Sequence, residues 1–191
     1  MYYVLEGHDP MYPCRWIGES PYIEGVEWDL GQRHTVPVPE PLEFELEPLD
    51  PDASDSGPDM PDFFRGEIPL MSEALIAALK EAGVDNLDTY DAVIVDPDTG
   101  QRFTNYKAVN IIGAIAAADM AQSNATVHPG GPVLDVEFEG LAVDESRTGG
   151  ALMFRLAENT QAILVHESVV EFLRSRGFDR LEFLDPGDVA L

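Results

Sequence analysis

Two stretches of this chain repeat one another at a spacing of 94 residues, so any fold it adopts has to build the same local unit twice. The first runs Pro69-Leu70-Met71-Ser72-Glu73-Ala74-Leu75-Ile76-Ala77-Ala78-Leu79 and continues to Gly83 and Leu87. The second runs Ile163-Leu164-Val165-His166-Glu167-Ser168-Val169-Val170-Glu171-Phe172-Leu173 and continues to Gly177 and Leu181. In each, a short apolar run leads to a polar residue and then to a Glu, where the dipole of a starting helix favours negative charge. Leu75, Ile76 and Leu79 then form one helical stripe, as do Val169, Val170 and Leu173. Gly83 and Gly177 stand where a left-handed helix stop belongs. A strand follows, at Ala92 to Val95 and at Leu181 to Leu184, and each copy closes on Asp-Pro. The alternative is a chance likeness of two ordinary amphipathic helices.

Other stretches supply strands. Asp98-Thr99-Gly100 predicts a turn, with a strand beginning at Arg102 to Tyr106. Val109 to Ile115 is either a buried strand or, with Ala116-Ala117-Ala118, a helix, because an apolar run of this kind has no deciding period. Val133 to Phe138 half-alternates, Thr148-Gly149-Gly150 reads as a turn, and Ala151 to Leu156 reads as a strand. The expected fold is α+β and a single domain over residues 1–191. Helices at about 73–82 and 167–176 pack on a mixed β-sheet drawn from the N-terminus, the middle and the C-terminal strand.

Charge restricts function more than fold. There are 36 Asp and Glu against 11 Lys and Arg, a formal charge of -25 on 191 residues. Such a surface repels nucleic acid and anionic membranes and draws basic partners. The plainer explanation is a solvated acidic surface. The surplus is uneven: residues 146–191 hold 7 acids and 5 bases, whereas residues 1–145 hold 29 and 6. Base-free stretches run from Glu40 to Asp62, Glu81 to Asp98 and Asp119 to Glu145. The densest, residues 40–62, carries nine acids and five prolines. Proline lacks a backbone donor, which excludes a helix or a central strand across the run. Its first part, Leu42 to Glu47, alternates strictly, which predicts an extended segment with Leu42, Phe44 and Leu46 on one face and Glu43, Glu45 and Glu47 on the other. Its second part, Asp50 to Pro61, predicts a loop. Glu43, Glu45 and Glu47, with Asp50, Asp52 and Asp55 beside them, are the candidate partner-binding residues. Their competing explanation is an edge strand protected from aggregation by charge.

Catalytic patterns are weak. His166-Glu167 begins like a zinc-protease helix, but Val170 stands where the second His belongs. Asp96-x-Asp98-x-Gly100 and Asp50-x-Asp52 approach calcium loops without completing one. His8, His34, His128 and His166 lack ligand spacing. Gly130-Gly131 sits between prolines and reads as a turn. Cys14 beside Arg15 has a route to a lowered pKa, with a packed or surface cysteine as the plainer alternative. The expectation is a non-enzymatic protein with no cofactor and no metal. No apolar run reaches the length of a membrane span, the start lacks a signal peptide pattern, and one cysteine forms no internal disulfide, which together predict the cytoplasm and make the Asn124-Ala125-Thr126 sequon irrelevant.

Several of these pieces resemble, in order and spacing, the immunity proteins of bacterial polymorphic toxin systems, in the group typified by myxobacterial proteins (immunity family eleven). The pieces are Tyr2-Tyr3-Val4-Leu5; Trp28 and Gly31; Ser72-Glu73-Ala74-Leu75; Tyr106, Asn110, Asp119 and Ser123; Phe154-Arg155-Leu156; and Val165-His166-Glu167 with Gly177. The resemblance is best over about residues 68–185, and the acidic segment 40–62 has no counterpart in it. It implies a cytoplasmic, non-enzymatic protein that binds and neutralises a cognate toxin, without naming the toxin; the acidic charge adds that the toxin is basic, as a phosphate-binding nuclease would be. Two other functions stay open: an acidic nucleic-acid mimic or decoy acting on a DNA-binding protein, and an enzyme with paired carboxylates, which would need a concave site with raised carboxyl pKa values.

Overall fold

A computed structural model of the chain describes residues 1–128 and 135–191. The Gly130-Gly131 turn and the first two residues of the 133–138 segment lie outside the described residues. In chain order the elements are β1 (Tyr2–His8), β2 (Ile17–Glu19), β3 (Leu42–Leu46), β4 (Phe63–Phe64), β5 (Leu70–Ser72), α1 (Glu73–Glu81), β6 (Leu87–Val95), β7 (Arg102–Ile111), β8 (Ala114–Ile115), β9 (Ala125–His128), β10 (Asp135–Phe138), β11 (Met153–Leu156), β12 (Asn159–His166), α2 (Glu167–Ser175) and β13 (Leu181–Leu184). The class is α+β, and mixed sheets carry two short helices. The strands divide into a five-stranded sheet, β13-β1-β12-β11-β8, a six-stranded sheet, β2-β3-β6-β7-β5-β4, and the β9–β10 pair. The division differs from the single sheet expected: β1 pairs only within the C-terminal half, and the middle strands build the other sheet.

The repeat is real and deeper than its sequence. In the first unit β5 and β6 both run antiparallel to β7 and so parallel to each other, with α1 as the crossover. In the second unit β12 and β13 flank β1 in the same way, with α2 as the crossover. Each unit is therefore a split strand–helix–strand motif, but the second borrows its middle strand from the N-terminus. Equivalent bonds close both. Tyr106 Oη donates to Pro61 O at 2.9 Å in one, and Tyr2 Oη donates to Ala151 O at 2.8 Å in the other. Ser72 N donates to Asp62 O and His166 N to Leu152 O, both at 2.8 Å. Tyr2 and Tyr106 thus occupy matching positions although no sequence alignment at constant spacing pairs them.

Both helices begin and end by the same chemistry. Ser72 Oγ accepts from Leu75 N at 3.1 Å, and His166 Nδ1 accepts from Ser168 N at 3.3 Å, so each side chain satisfies a free first-turn donor. At the other end Val84 N reaches Leu79 O at 3.0 Å and Phe178 N reaches Leu173 O at 3.1 Å, which requires the left-handed backbone of Gly83 (φ 98°) and Gly177 (φ 87°). The buried stripes of the two helices, Leu75, Ile76 and Leu79 with Val169, Val170 and Leu173, meet in one core with Val109, Ile111 and Val165. That core joins the two units. The opposite face of the five-stranded sheet is covered by Val136, Phe138 and Leu141. The opposite face of the six-stranded sheet encloses Phe44, Leu70, Ile94 and Tyr106 with Trp28 from the long β2–β3 connection.

The undecided segment at 109–115 resolves into strand. β7 runs to Ile111, the chain turns at Gly113 (φ 113°), and β8 adds a short parallel strand beside β11. Ala117 and Ala118 then fill the second core as extended chain rather than helix. The turn at Gly113 is gripped by Gly31, whose carbonyl accepts from Gly113 N at 2.8 Å. A Cβ on Gly31 would stand 2.9 Å from the Gly113 backbone, so only glycine fits there. The six-stranded sheet also corrects the edge-strand expectation: β3 lies between β2 and β6, with β2 at the edge.

Candidate protein-binding surface

The alternation of residues 42–47 becomes β3 as expected, with Leu42, Phe44 and Leu46 buried and Glu43 and Glu45 exposed. Past the strand, Glu47 N donates to Trp16 O at 2.9 Å, so the chain leaving β3 stays paired with the chain entering β2. The loop after it folds back on the same stretch. Cys14 N donates to Asp55 O at 3.0 Å, and Trp16 Nε1 donates to Asp55 O at 3.3 Å. Asp50 holds its own turn: its N–H donates to Ser56 Oγ at 3.0 Å, and its carboxylate accepts from Asp52 N at 2.9 Å.

These contacts assemble a cleft of about 270 Å³ lined by Trp16, Glu47, Asp50 and Asp55 among others. Three of the six candidate acids therefore converge on it. Asp52 sits exposed on the turn outside it. Glu43 and Glu45 lie upstream on the outer face of β3, where Arg102 bonds Glu43 at 2.7 Å and Glu45 stands directly opposite Glu19 of β2. Like charges opposed across strands cost stability, and the Glu19 and Glu45 carboxylates are exposed without a paired cation among the described residues. Trp16 was not singled out by the sequence, since no pattern marks an exposed Trp. It is 43 % exposed, an uncommon position for so large an apolar ring.

Cations do not neutralise the cleft. Arg15 lines it, but its buried guanidinium is bonded to Asp96 at 3.3 Å and to Glu47 O at 2.9 Å, so its charge is paired with Asp96 rather than with the cleft carboxylates. Burial pushes the Asp96 carboxyl up. Hydrogen bonds from Thr99 and the Asp98 amide, with the charge of Arg15, more than offset this and hold it below the usual range. The incomplete calcium loop at Asp96 is thus an ion-paired turn. Elsewhere Arg33, Arg65, Arg147, Arg176, Arg180 and Lys107 are each engaged by carboxylates.

Cys14 lies behind the cleft, buried. Burial and the nearby Asp55 and Asp59 push its thiol up to about 11, the reverse of the lowering that Arg15 alone would produce. The native protein at pH 8 is expected to resist iodoacetamide and to react fully once unfolded in urea. Rapid alkylation of the native protein would contradict the burial.

A larger cavity of about 540 Å³ adjoins the cleft, sharing Arg15, Trp16 and Ile17 with it. Glu6, His8, Arg15, Arg65, Glu67 and Glu182 are its charged and imidazole groups. Burial raises the Glu182 carboxyl, and Asp9 and Glu6 add to the shift, while Glu6 is ion-paired with Arg65. Raised carboxyl pKa, the mark required of a carboxylate enzyme, thus appears at Glu182, but its neighbour Glu6 is held by a cation. A carboxyl whose folded pKa exceeds its unfolded value binds the extra proton in the folded state, so stability falls as pH rises through that interval. Glu182→Gln is therefore expected to raise Tm at pH 7 and to leave it unchanged at pH 3.5. An equal change at both pH values would place the effect in packing rather than ionisation.

Among the described residues no helix is long and apolar enough to cross a membrane. Compared with known families and with curated proteins, the chain matches none.

Proposed function

We propose that this chain binds and neutralises a basic protein, acting as an immunity protein toward a cognate toxin, of which a nuclease with its phosphate-binding surface is the fitting class. The observation that carries this is the Trp16 cleft: an exposed aromatic ring framed by Glu47, Asp50 and Asp55, in a chain whose cations are largely committed to internal pairs. Aromatic anchors ringed by polar groups dominate protein interfaces, and carboxylates steer basic partners into them. The resemblance to polymorphic-toxin immunity proteins supports the same reading and implies a cytoplasmic protein. No cofactor and no catalytic step is required.

The test is to capture the partner from the native cell and follow association with the purified pair. The on-rate is expected to fall steeply between 50 and 500 mM salt, because exposed charges are screened beyond about 8 Å at physiological salt. A combined Glu47→Gln, Asp50→Asn, Asp55→Asn variant is expected to lose about tenfold in on-rate and most of that salt dependence. Glu43→Gln with Glu45→Gln, away from the cleft, is expected to change it less. A single toxin-like partner supports immunity; capture of several unrelated DNA-binding proteins supports the acidic-decoy function instead. A salt-independent on-rate, or loss confined to the Glu43 and Glu45 variant, would overturn the assignment to this cleft.

A further inference from the structure

The six-stranded sheet has two ends, β2 and β4, and both face the same place. Ile17 and Gly18 of β2 and Phe63 and Phe64 of β4 all line the 540 Å³ cavity. The sheet therefore curls until its two edges approach one space, which β1 borders with Glu6, Gly7 and His8. Strand directions follow from the pairings: β2 is antiparallel to β3, β3 parallel to β6, β6 antiparallel to β7, β7 to β5 and β5 to β4. Hence β2 and β4 run the same way. The chains entering the two strands are joined directly, Arg15 N donating to Asp59 O at 2.8 Å, and the edges are unpaired with each other only beyond that bond; one strand placed between them there and running the opposite way would be antiparallel to both.

We propose that this slot between β2 and β4 takes one extended, basic segment of the protein partner, added as a strand to the open sheet. The proposal rests on the binding function above and specifies the partner's contact. Sheet edges offer unpaired backbone groups that extended segments complete. Side chains of such a segment alternate between two faces. Apolar ones would meet Ile17, Phe63 and Phe64, and cationic ones would meet Glu67 and Glu182 and, at the mouth, Glu47, Asp50 and Asp55 beside Trp16. Arg15 and Arg65 also line the cavity, but each is already paired with a carboxylate, Asp96 and Glu6 respectively. The charge of the slot and mouth selects a basic occupant over an acidic one.

A fluorescein-labelled decapeptide of alternating Arg and Val is the probe, read by anisotropy against the full-length protein at low salt. It is expected to bind, and its counterpart N-methylated at alternate residues, which keeps the charge but loses backbone donors along one edge, is expected to bind at least tenfold more weakly. Gly66 supplies the blocking variant. It lines the cavity just past β4, and a Cβ there would meet only Ile68 O, at 3.9 Å. Gly66→Trp is expected to keep the native Tm and to weaken the peptide at least tenfold, whereas Gly66→Ala binds as the native chain does. Absence of peptide binding to the native protein, equal binding of the N-methylated peptide, or full binding by a folded Gly66→Trp would each overturn the slot. Capture of the cellular partner with unchanged affinity by Gly66→Trp would also overturn it and leave the binding function standing. A native chain that captures no partner would count against that function, and the peptide results would still judge the slot.

Discussion

Arg155→Ala is expected to lower the stability of the fold by about 3–5 kcal/mol, measured by urea unfolding at pH 7. Arg155 is 3 % exposed on β11, inside the five-stranded sheet. Its guanidinium donates from Nη1 to Thr160 O at 2.6 Å and from Nη2 to Trp28 O at 3.1 Å. Burial pushes it down to about 10, so it keeps its charge at neutral pH, with no carboxylate within ion-pair distance among the described residues. Truncation would leave two carbonyls without donors, each costing about 1–3 kcal/mol, and would also remove the packing of the stem. Arg155→Lys is expected to recover little, since one ammonium on a flexible stem does not reproduce the planar fork. Arg155→Met is expected to lose less than either, because it fills the volume and removes the burial cost of the charge, although both carbonyls stay without donors. The loss should also free the segment around Trp28, which the guanidinium ties to the second unit, so Trp28 emission should shift to the red before global unfolding. Equal stability of the Lys variant would mean that charge alone, not the fork, holds the segment.

Arg155 also shows where sequence reasoning succeeds and where it stops. The helices, their caps and the glycine stops were legible because each depends on residues within one or two turns, and local hydrogen bonding dictates them. The strand alternation of Leu42 to Leu46 was legible for the same reason. The equivalence of Tyr2 and Tyr106 was not, because β1 enters the second unit from the far end of the chain and only pairing in space aligns it with β7. The undecided Val109–Ala118 stretch has no deciding period: Val109, Asn110 and Ile111 are all buried, exposed Ala114 and Ala116 follow, and Gly31, some eighty residues upstream, grips the turn between them. Of the six candidate acids, Glu47, Asp50 and Asp55 come together because Glu47 N donates to Trp16 O, Cys14 N and Trp16 Nε1 donate to Asp55 O and Asp50 N donates to Ser56 Oγ, contacts that no spacing reveals. The residues that carry the family resemblance are mostly structural stitches of this kind. Asn110 Nδ2 donates to Gln32 O at 2.7 Å, Arg155 holds Trp28 O, and Tyr2 closes the second unit. They describe how the chain is held together more directly than what it binds, which is why the cleft and not the resemblance carries the proposed function.

Trp16→Ala is expected to weaken binding of the captured partner by at least 2 kcal/mol, about thirtyfold, almost entirely through a faster off-rate. The ring is 43 % exposed yet anchored, with Nε1 bonded to Asp55 O at 3.3 Å, so it is held in place before the partner arrives. A pre-placed aromatic loses little conformational freedom on binding, which makes it a stronger anchor than a mobile side chain of equal area. Removing it does not change the charge of Glu47, Asp50 and Asp55, so steering should persist and the on-rate should stay within about threefold. The amide variants are expected to do the opposite, slowing association while dissociation from the aromatic anchor changes less. Stability should fall only slightly, because Trp16 lies outside the three cores. Trp16→Phe separates ring from hydrogen bond: it keeps an apolar anchor and loses the donor, and it should recover most of the affinity if burial of the ring dominates. A Trp16→Ala chain that binds with native affinity, or whose loss lies wholly in the on-rate, would place the partner elsewhere on the acidic surface.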